Sequence, residues 1–101
     1  TVVRKAFLEE YPEAVDLFME EQKASAAYAN TNVEETAQLV AERGIVEKAA
    51  VAAKAIPACH ITYIDGEEMK EALSEYLSVL FGQNPEFIGG AMPEEDFYTI
   101  R

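Results

Sequence analysis

Apolar residues recur at helical spacing in two long stretches of the chain. Between residues 13 and 30 they fall at intervals of three, four and seven, which places them on one side of a helix. A second stripe follows Asp65 and ends near Gly82. The pattern predicts helices over about residues 13–30 and 66–81. We expect burial of their stripes, with Val15, Phe18 and Met19 in the first and Leu73, Tyr76, Leu77 and Leu80 in the second.

Prolines and glycines delimit shorter helices around these stripes. A helix over Lys5–Glu10 should end before Pro12, which itself suits the first turn of the next helix. A further helix after residue 32 should run to Arg43, because Gly44 stands where helices commonly end. The alanine-rich residues 45–55 are predicted to be helical up to the next proline, and a last short turn is expected near residues 93–96.

Capping pairs predict where two of these helices begin. A capping box joins a polar N-cap side chain to an acidic side chain three residues later. Three pairs have this spacing, namely Thr31 with Glu34, Asn32 with Glu35, and Asp65 with Glu68. They predict starts at about residues 32 and 66.

Two short segments have strand character. Residues 1–3 are rich in β-branched side chains and are interpreted as the end of a strand. Residues 60–64 alternate with the period of a strand, and an extended connector is the alternative. The predicted fold class is therefore mainly α with one or two short strands, in a single domain covering residues 1–101.

Composition and net charge exclude some classes of binding partner. The chain has 101 residues, half of them hydrophobic, and a net charge of −11. Nucleic acids and anionic lipids bind clustered cations, so neither is an expected partner. The single cysteine, Cys59, excludes an internal disulfide. No apolar run approaches the roughly 20 residues of a membrane span.

The sequence offers little for catalysis. A catalytic nucleophile needs an adjacent base that a third group orients. Cys59 and His60 are sequence neighbours, and neighbours in a strand point to opposite faces. We interpret them as a small buried thiol beside a histidine, with no catalytic residue, and we expect no enzymatic activity.

Metal and phosphate sites are also not indicated. The chain has no cysteine or histidine pairs at zinc spacing and no calcium-loop spacing of acids. Glu94-Glu95-Asp96 is interpreted as solvated or as favouring a helix N-terminus, rather than as a cation site. Gly89-Gly90 lacks the lysine and hydroxyl of a phosphate loop and is interpreted as a tight bend. We expect no metal and no cofactor, and we assign no ligand-binding residue.

Aromatic residues are concentrated in the last third of the chain. Such side chains usually anchor a core, and an aromatic ligand cage is the alternative. The set comprises Tyr76, Phe81, Phe87, Phe97 and Tyr98.

Four stretches resemble solute-binding proteins of ABC transporters. Residues 1–13 are similar to a motif in which a short strand leads into (K/D)-x-F-L-E-x-x-P-E and a long helix. Residues 28–37 resemble A-N-x-N-P-E-E-A-A, with Val33 where proline is frequent. Residues 56–70 and 89–98 resemble the tail of a bacterial subgroup that consists mostly of lipoproteins. The group includes nitrate-, sulfonate-, taurine- and pyrimidine-precursor-binding members.

The resemblance implies a function for a larger protein. Members of the group have two α/β lobes of the type II periplasmic-binding-protein fold, with solute in the cleft between them. The chain would be a C-terminal portion, either a processed product or an excised piece. Its implied partners are a small-molecule solute and an ABC permease, and its implied location is the periplasm or a lipoprotein anchor outside the cytoplasm. Truncation would expose apolar helix faces, so we also expect a homo-oligomer.

Two other hypotheses stay open. One is a small acidic helical module whose charged face binds a basic protein. The other is a fragment of the pyrimidine-synthesis proteins that share the fold. The latter needs its own catalytic cysteine and histidine residues, for which only Cys59 and His60 are present.

Overall fold

Helices dominate the structure, a computed structural model that describes Thr1–Arg101. Helical residues make up 71% of the chain and no strand is present, so the mainly α fold class is confirmed. The α-helices are α1 (Lys5–Glu10), α2 (Pro12–Thr31), α3 (Val33–Glu42), α4 (Ala49–Ala55) and α5 (Gly66–Gln83). Short 3₁₀ turns span Ile56–Cys59, Pro85–Ile88 and Glu95–Phe97.

Proline and glycine mark boundaries as predicted. Pro12 occupies the first position of α2, and the N–H of Tyr11 closes α1 on the carbonyl of Phe7 at 2.8 Å. Gly44 follows α3 with a left-handed φ of 71°. A non-glycine residue would be strained there, which explains why the helix stops at this point. Gly82, in contrast, lies inside α5, which continues to Gln83.

The predicted capping boxes are wrong, although the N-cap positions are right. Asn32 precedes α3 and Asp65 precedes α5, but neither side chain accepts a helix N–H. The amide of Asn32 instead donates to Thr31 Oγ1 at 3.0 Å. Thr31 in turn donates to the carbonyl of Ala27 at 2.9 Å. The side chains at this junction are therefore bonded back toward α2.

The helix predicted over residues 45–55 begins only at Ala49. The N–H groups of Ile45 and Val46 both donate to the carbonyl of Val40, at 2.9 and 3.4 Å. These bonds cap the C-terminal end of α3. Residues 45–48 therefore form the connection between α3 and α4. Alanine propensity is a weak preference, and here packing of the two helices overrides it.

Both predicted strands are absent. Residues 1–3 form no ladder, and Val2 is 90% exposed. His60 has a left-handed backbone (φ 52°), which a strand does not accommodate, and residues 61–65 form a connector. A strand requires a neighbouring strand for its backbone hydrogen bonds, and no other segment of the chain provides one.

The N-terminal unit, Thr1–Tyr63, contains the core of the structure. Helices α3 and α4 pack through Ala37 and Ala52, which allow the two backbones to approach closely, and Ile56 completes the cluster. Val15 and Ala29 are buried on α2. The core is small, since no large side chain is fully enclosed.

The C-terminal unit, Ile64–Arg101, consists of α5 and the chain that follows it. After the 3₁₀ turn at Pro85–Ile88 the chain returns along α5, because Glu95 pairs with Lys70. None of its residues is buried. The expectation of one domain over residues 1–101 stays a prediction, and the two units are described separately.

The burial predicted for the two stripes is only partly correct. Val15 is buried, and Met19, Leu73, Leu77 and Leu80 are half-buried. Phe18 and Tyr76 are 50% and 61% exposed, so their predicted burial is wrong. Each of these two residues lies next to the half-buried residues of its helix. The part of the helix surface that is covered is therefore narrower than the apolar stripe that periodicity predicts.

Candidate functional site

Cys59 and His60 lie at the end of the N-terminal unit. Cys59 is the last residue of a 3₁₀ turn and is exposed, so the predicted buried thiol is wrong. His60 follows in the left-handed conformation. Neither side chain has a hydrogen-bonded partner, so the structure places no orienting group beside them.

The left-handed backbone of His60 predicts an unusual order of stability among variants at this position. An L-residue in this region costs roughly 1–2 kcal/mol, whereas glycine adopts it freely. We therefore expect His60→Gly to unfold at higher urea concentration than His60→Ala, by about 0.5–1 kcal/mol in the free energy of unfolding. A β-branched His60→Val should be the least stable of the three variants. The opposite order, with alanine above glycine, would show that the turn is not left-handed in solution.

The acidic run near the C-terminus makes a structural ion pair. Glu95 bonds to the ammonium of Lys70, which lies 6.0 Å from the centre of the Tyr98 ring. The hydrogen bond to Glu95, with a smaller contribution from the charge of Glu67, raises the pKa of Lys70 above its ordinary 10.5. This carboxylate is therefore a point of contact between the returning chain and α5.

The glycine pair forms a turn. Gly89 and Gly90 have φ values of 83° and 91°, in the region that glycine favours. The N–H of Gly90 donates to the carbonyl of Pro85 at 2.8 Å and closes the turn. The backbone of this pair thus redirects the chain after Pro85–Ile88.

The aromatic side chains of the C-terminal unit do not form a cage. Phe97 and Tyr98 stack edge to face with ring centres 5.2 Å apart. Tyr76, Phe87 and Phe97 are all more than half exposed, so the expectation that they anchor a core is wrong. The returning chain covers one side of α5, and this unit has too few residues to enclose the rest.

A polar cluster joins α2, α3 and the connector of the N-terminal unit. The phenol of Tyr28 donates to Glu35 across the helix junction. The amide of Asn30 donates to the carbonyls of Ala26, at 3.1 Å, and Ile61, at 2.8 Å. These hydrogen bonds link α2 to α3 and to the connector. No local sequence signal identifies the Tyr28–Glu35 pair, since its members are on different helices.

The Tyr28–Glu35 bond predicts a measurable pH dependence. The hydrogen bond to the carboxylate, followed by desolvation and the negative charge, raises the pKa of Tyr28 above its ordinary 10.0. Because the pKa is raised, the bond contributes its full stabilisation of the folded state below pH 10.0. This contribution is lost as the pH rises through the pKa that Tyr28 has in the folded state. In an ultraviolet titration of phenolate absorbance, Glu35→Gln should move the last transition to lower pH. Its neighbour variant Glu34→Gln is the control and should leave that transition in place.

An open apolar concavity of about 340 Å³ lies at the N-terminus. It is lined by Thr1, Val2, Val3, Phe7, Val15 and Phe18 together with Arg4, whose side chain is its one charged side chain. Small-molecule sites combine an enclosing pocket with several convergent polar groups. This concavity has neither property.

No group of three or more His, Cys, Asp and Glu residues is placed to hold a metal ion. None of the helices has both the length and the apolar character of a membrane span. No family model matches the chain. No curated protein matches it, and no solved structure does.

Proposed function

We propose that the chain is the C-terminal portion of the solute-binding component of an ABC importer. In this proposal it helps to build one lobe of a type II periplasmic-binding-protein fold. The solute occupies a cleft that the remainder of the protein largely forms. The intact protein acts outside the cytoplasm, in the periplasm or on a lipoprotein anchor, and delivers the solute to an ABC permease.

Exposed apolar side chains are the observation that carries the proposal. Only five hydrophobic residues are buried, while Leu17, Ile45, Val51 and Phe87 are among many large ones left exposed. Apolar surface on this scale is typical of a segment that packs against more protein. The motif resemblance in residues 1–13 and 28–37 supports a solute-binding component as that larger protein.

The motifs also lie at structural junctions. The first spans the break at Tyr11 and Pro12, where α1 gives way to α2. The second spans Asn32, where α2 gives way to α3 and where Tyr28 bonds to Glu35. These residues support the local fold, which agrees with a role in building a lobe rather than in touching solute.

Calorimetric titration of two proteins tests the proposal. One is the product of the complete reading frame that encodes the chain, and the other is the 101-residue chain itself. We expect the complete product to bind one of taurine, an alkylsulfonate, nitrate or a pyrimidine. The chain alone should bind none, because affinity in a two-lobe protein needs residues from both lobes. Binding by the chain alone, or by neither protein, would refute the proposal.

A further inference from the structure

Helix α5 has a half-buried face and, beside it, an exposed row of residues in which Tyr76 and Val79 are the large apolar members. The half-buried face includes Met69, Lys70, Leu73, Leu77 and Leu80. The residues of the exposed row follow one another at intervals of four, three and four, as neighbours on a helix surface do. We call this second set the α5 stripe, and it consists of Ala72, Tyr76, Val79 and Gln83.

The α5 stripe is exposed because the returning chain is held elsewhere. The ion pair between Lys70 and Glu95, with Tyr98 beside the ammonium, lies on the half-buried face. Tyr76 and Val79 are left 61% and 60% exposed. The two side chains stand one turn apart and form an exposed apolar pair, and tyrosine is among the residue types that dominate binding energy at protein interfaces.

Charge around the stripe has one sign. Glu68 and Glu75 are exposed and stand four residues before Ala72 and Val79, so they line the border of the stripe. The unit from Ile64 to Arg101 has nine acidic and two basic residues. The ammonium of Lys70 is already paired with Glu95. A ligand for this surface needs apolar anchors together with cations.

We propose that the α5 stripe docks a cationic amphipathic helix of a partner protein. The partner's apolar residues pack on Tyr76 and Val79, and its lysines or arginines pair with Glu68 and Glu75. The stripe spans eleven residue steps, about 16 Å of helix, which matches about three turns of a partner helix. A second copy of this chain is the less suitable occupant, because it presents the same acidic border.

Fluorescence anisotropy with a defined peptide tests the apolar part. The probe is a labelled peptide of roughly 14 residues, about four helical turns, with leucine on one face and lysine elsewhere. We expect Tyr76→Ala/Val79→Ala to weaken binding of the probe at least tenfold, the loss typical of removing central anchors. The matched control is Leu17→Ala/Phe18→Ala, which removes two exposed apolar side chains from α2 and should change affinity less than twofold. Equal losses in both variants would refute the proposal.

Charge is tested with two variants of identical net charge. Glu68→Gln/Glu75→Gln should weaken binding severalfold at low salt and make it less salt-dependent. Glu20→Gln/Glu21→Gln removes two exposed carboxylates from α2 and should leave affinity unchanged. Equal effects would mean non-specific attraction between the chain and the peptide. A dimer that sediments as such without peptide and dissociates in Tyr76→Ala/Val79→Ala would identify a second copy as the occupant, which also overturns the proposal.

The test of the α5 stripe is separate from the test of the proposed transport function. The peptide experiment uses the 101-residue chain and no solute. Failure of the complete protein to bind a solute would leave the stripe unaffected, and failure of the peptide to bind would leave solute capture unaffected.

Discussion

Replacing Ile56 with alanine should lower the free energy of unfolding by about 2–5 kcal/mol. Ile56 is 7% exposed and is the largest member of the cluster that it forms with Ala37 and Ala52. The alanines are too small to fill the space that its side chain would leave. Stability of a domain is only about 5–15 kcal/mol in total, so a loss of this size removes a large part of it.

Urea denaturation monitored by circular dichroism measures the loss, and Ile45→Ala is the matched control. Ile45 is 73% exposed in the segment between α3 and α4, so the same chemical change should cost less than about 0.5 kcal/mol. Equal midpoints for the two variants would contradict the assignment of the core to the junction of α3, α4 and the turn at Ile56–Cys59.

Enlarging Ala37 should also destabilise the chain, for the opposite reason. Ala37 is 1% exposed where α3 meets α4, and a leucine there would force the helices apart or adopt a strained rotamer. We expect a loss of about 1–3 kcal/mol, the usual cost of overpacking. Ala50→Leu is the control, since Ala50 is an exposed residue of α4 and the two residue types have similar helix propensity. A destabilised control with an unaffected Ala37→Leu would place the helix contact elsewhere.

Helices were predictable wherever local chemistry determines them. Pro12 and Gly44 act on their own backbone, so the boundaries beside them agree with expectation. The strand predicted over residues 60–64 failed because alternation describes side chains, whereas a strand also needs a partner and a backbone that His60 does not adopt.

Burial was less predictable than helicity. Tyr76 belongs to the apolar stripe of α5 by periodicity, but which side of that helix is covered depends on the path of the returning chain. That path brings together Lys70 and Glu95, which are 25 residues apart. The Tyr28–Glu35 bond likewise depends on how α2 meets α3. Periodicity within a helix contains no information about such pairs, so the candidate surfaces emerged only with the fold.

The most direct test of the central claim is to sequence the DNA immediately upstream of the codon for Thr1. If the chain is part of a solute-binding component, the reading frame continues upstream for roughly two hundred residues, enough for the remainder of two lobes. We predict that it begins with a signal peptide, followed in a lipoprotein by a lipidation cysteine. An initiation codon directly before Thr1 would contradict the account, because no lobe would then precede the chain.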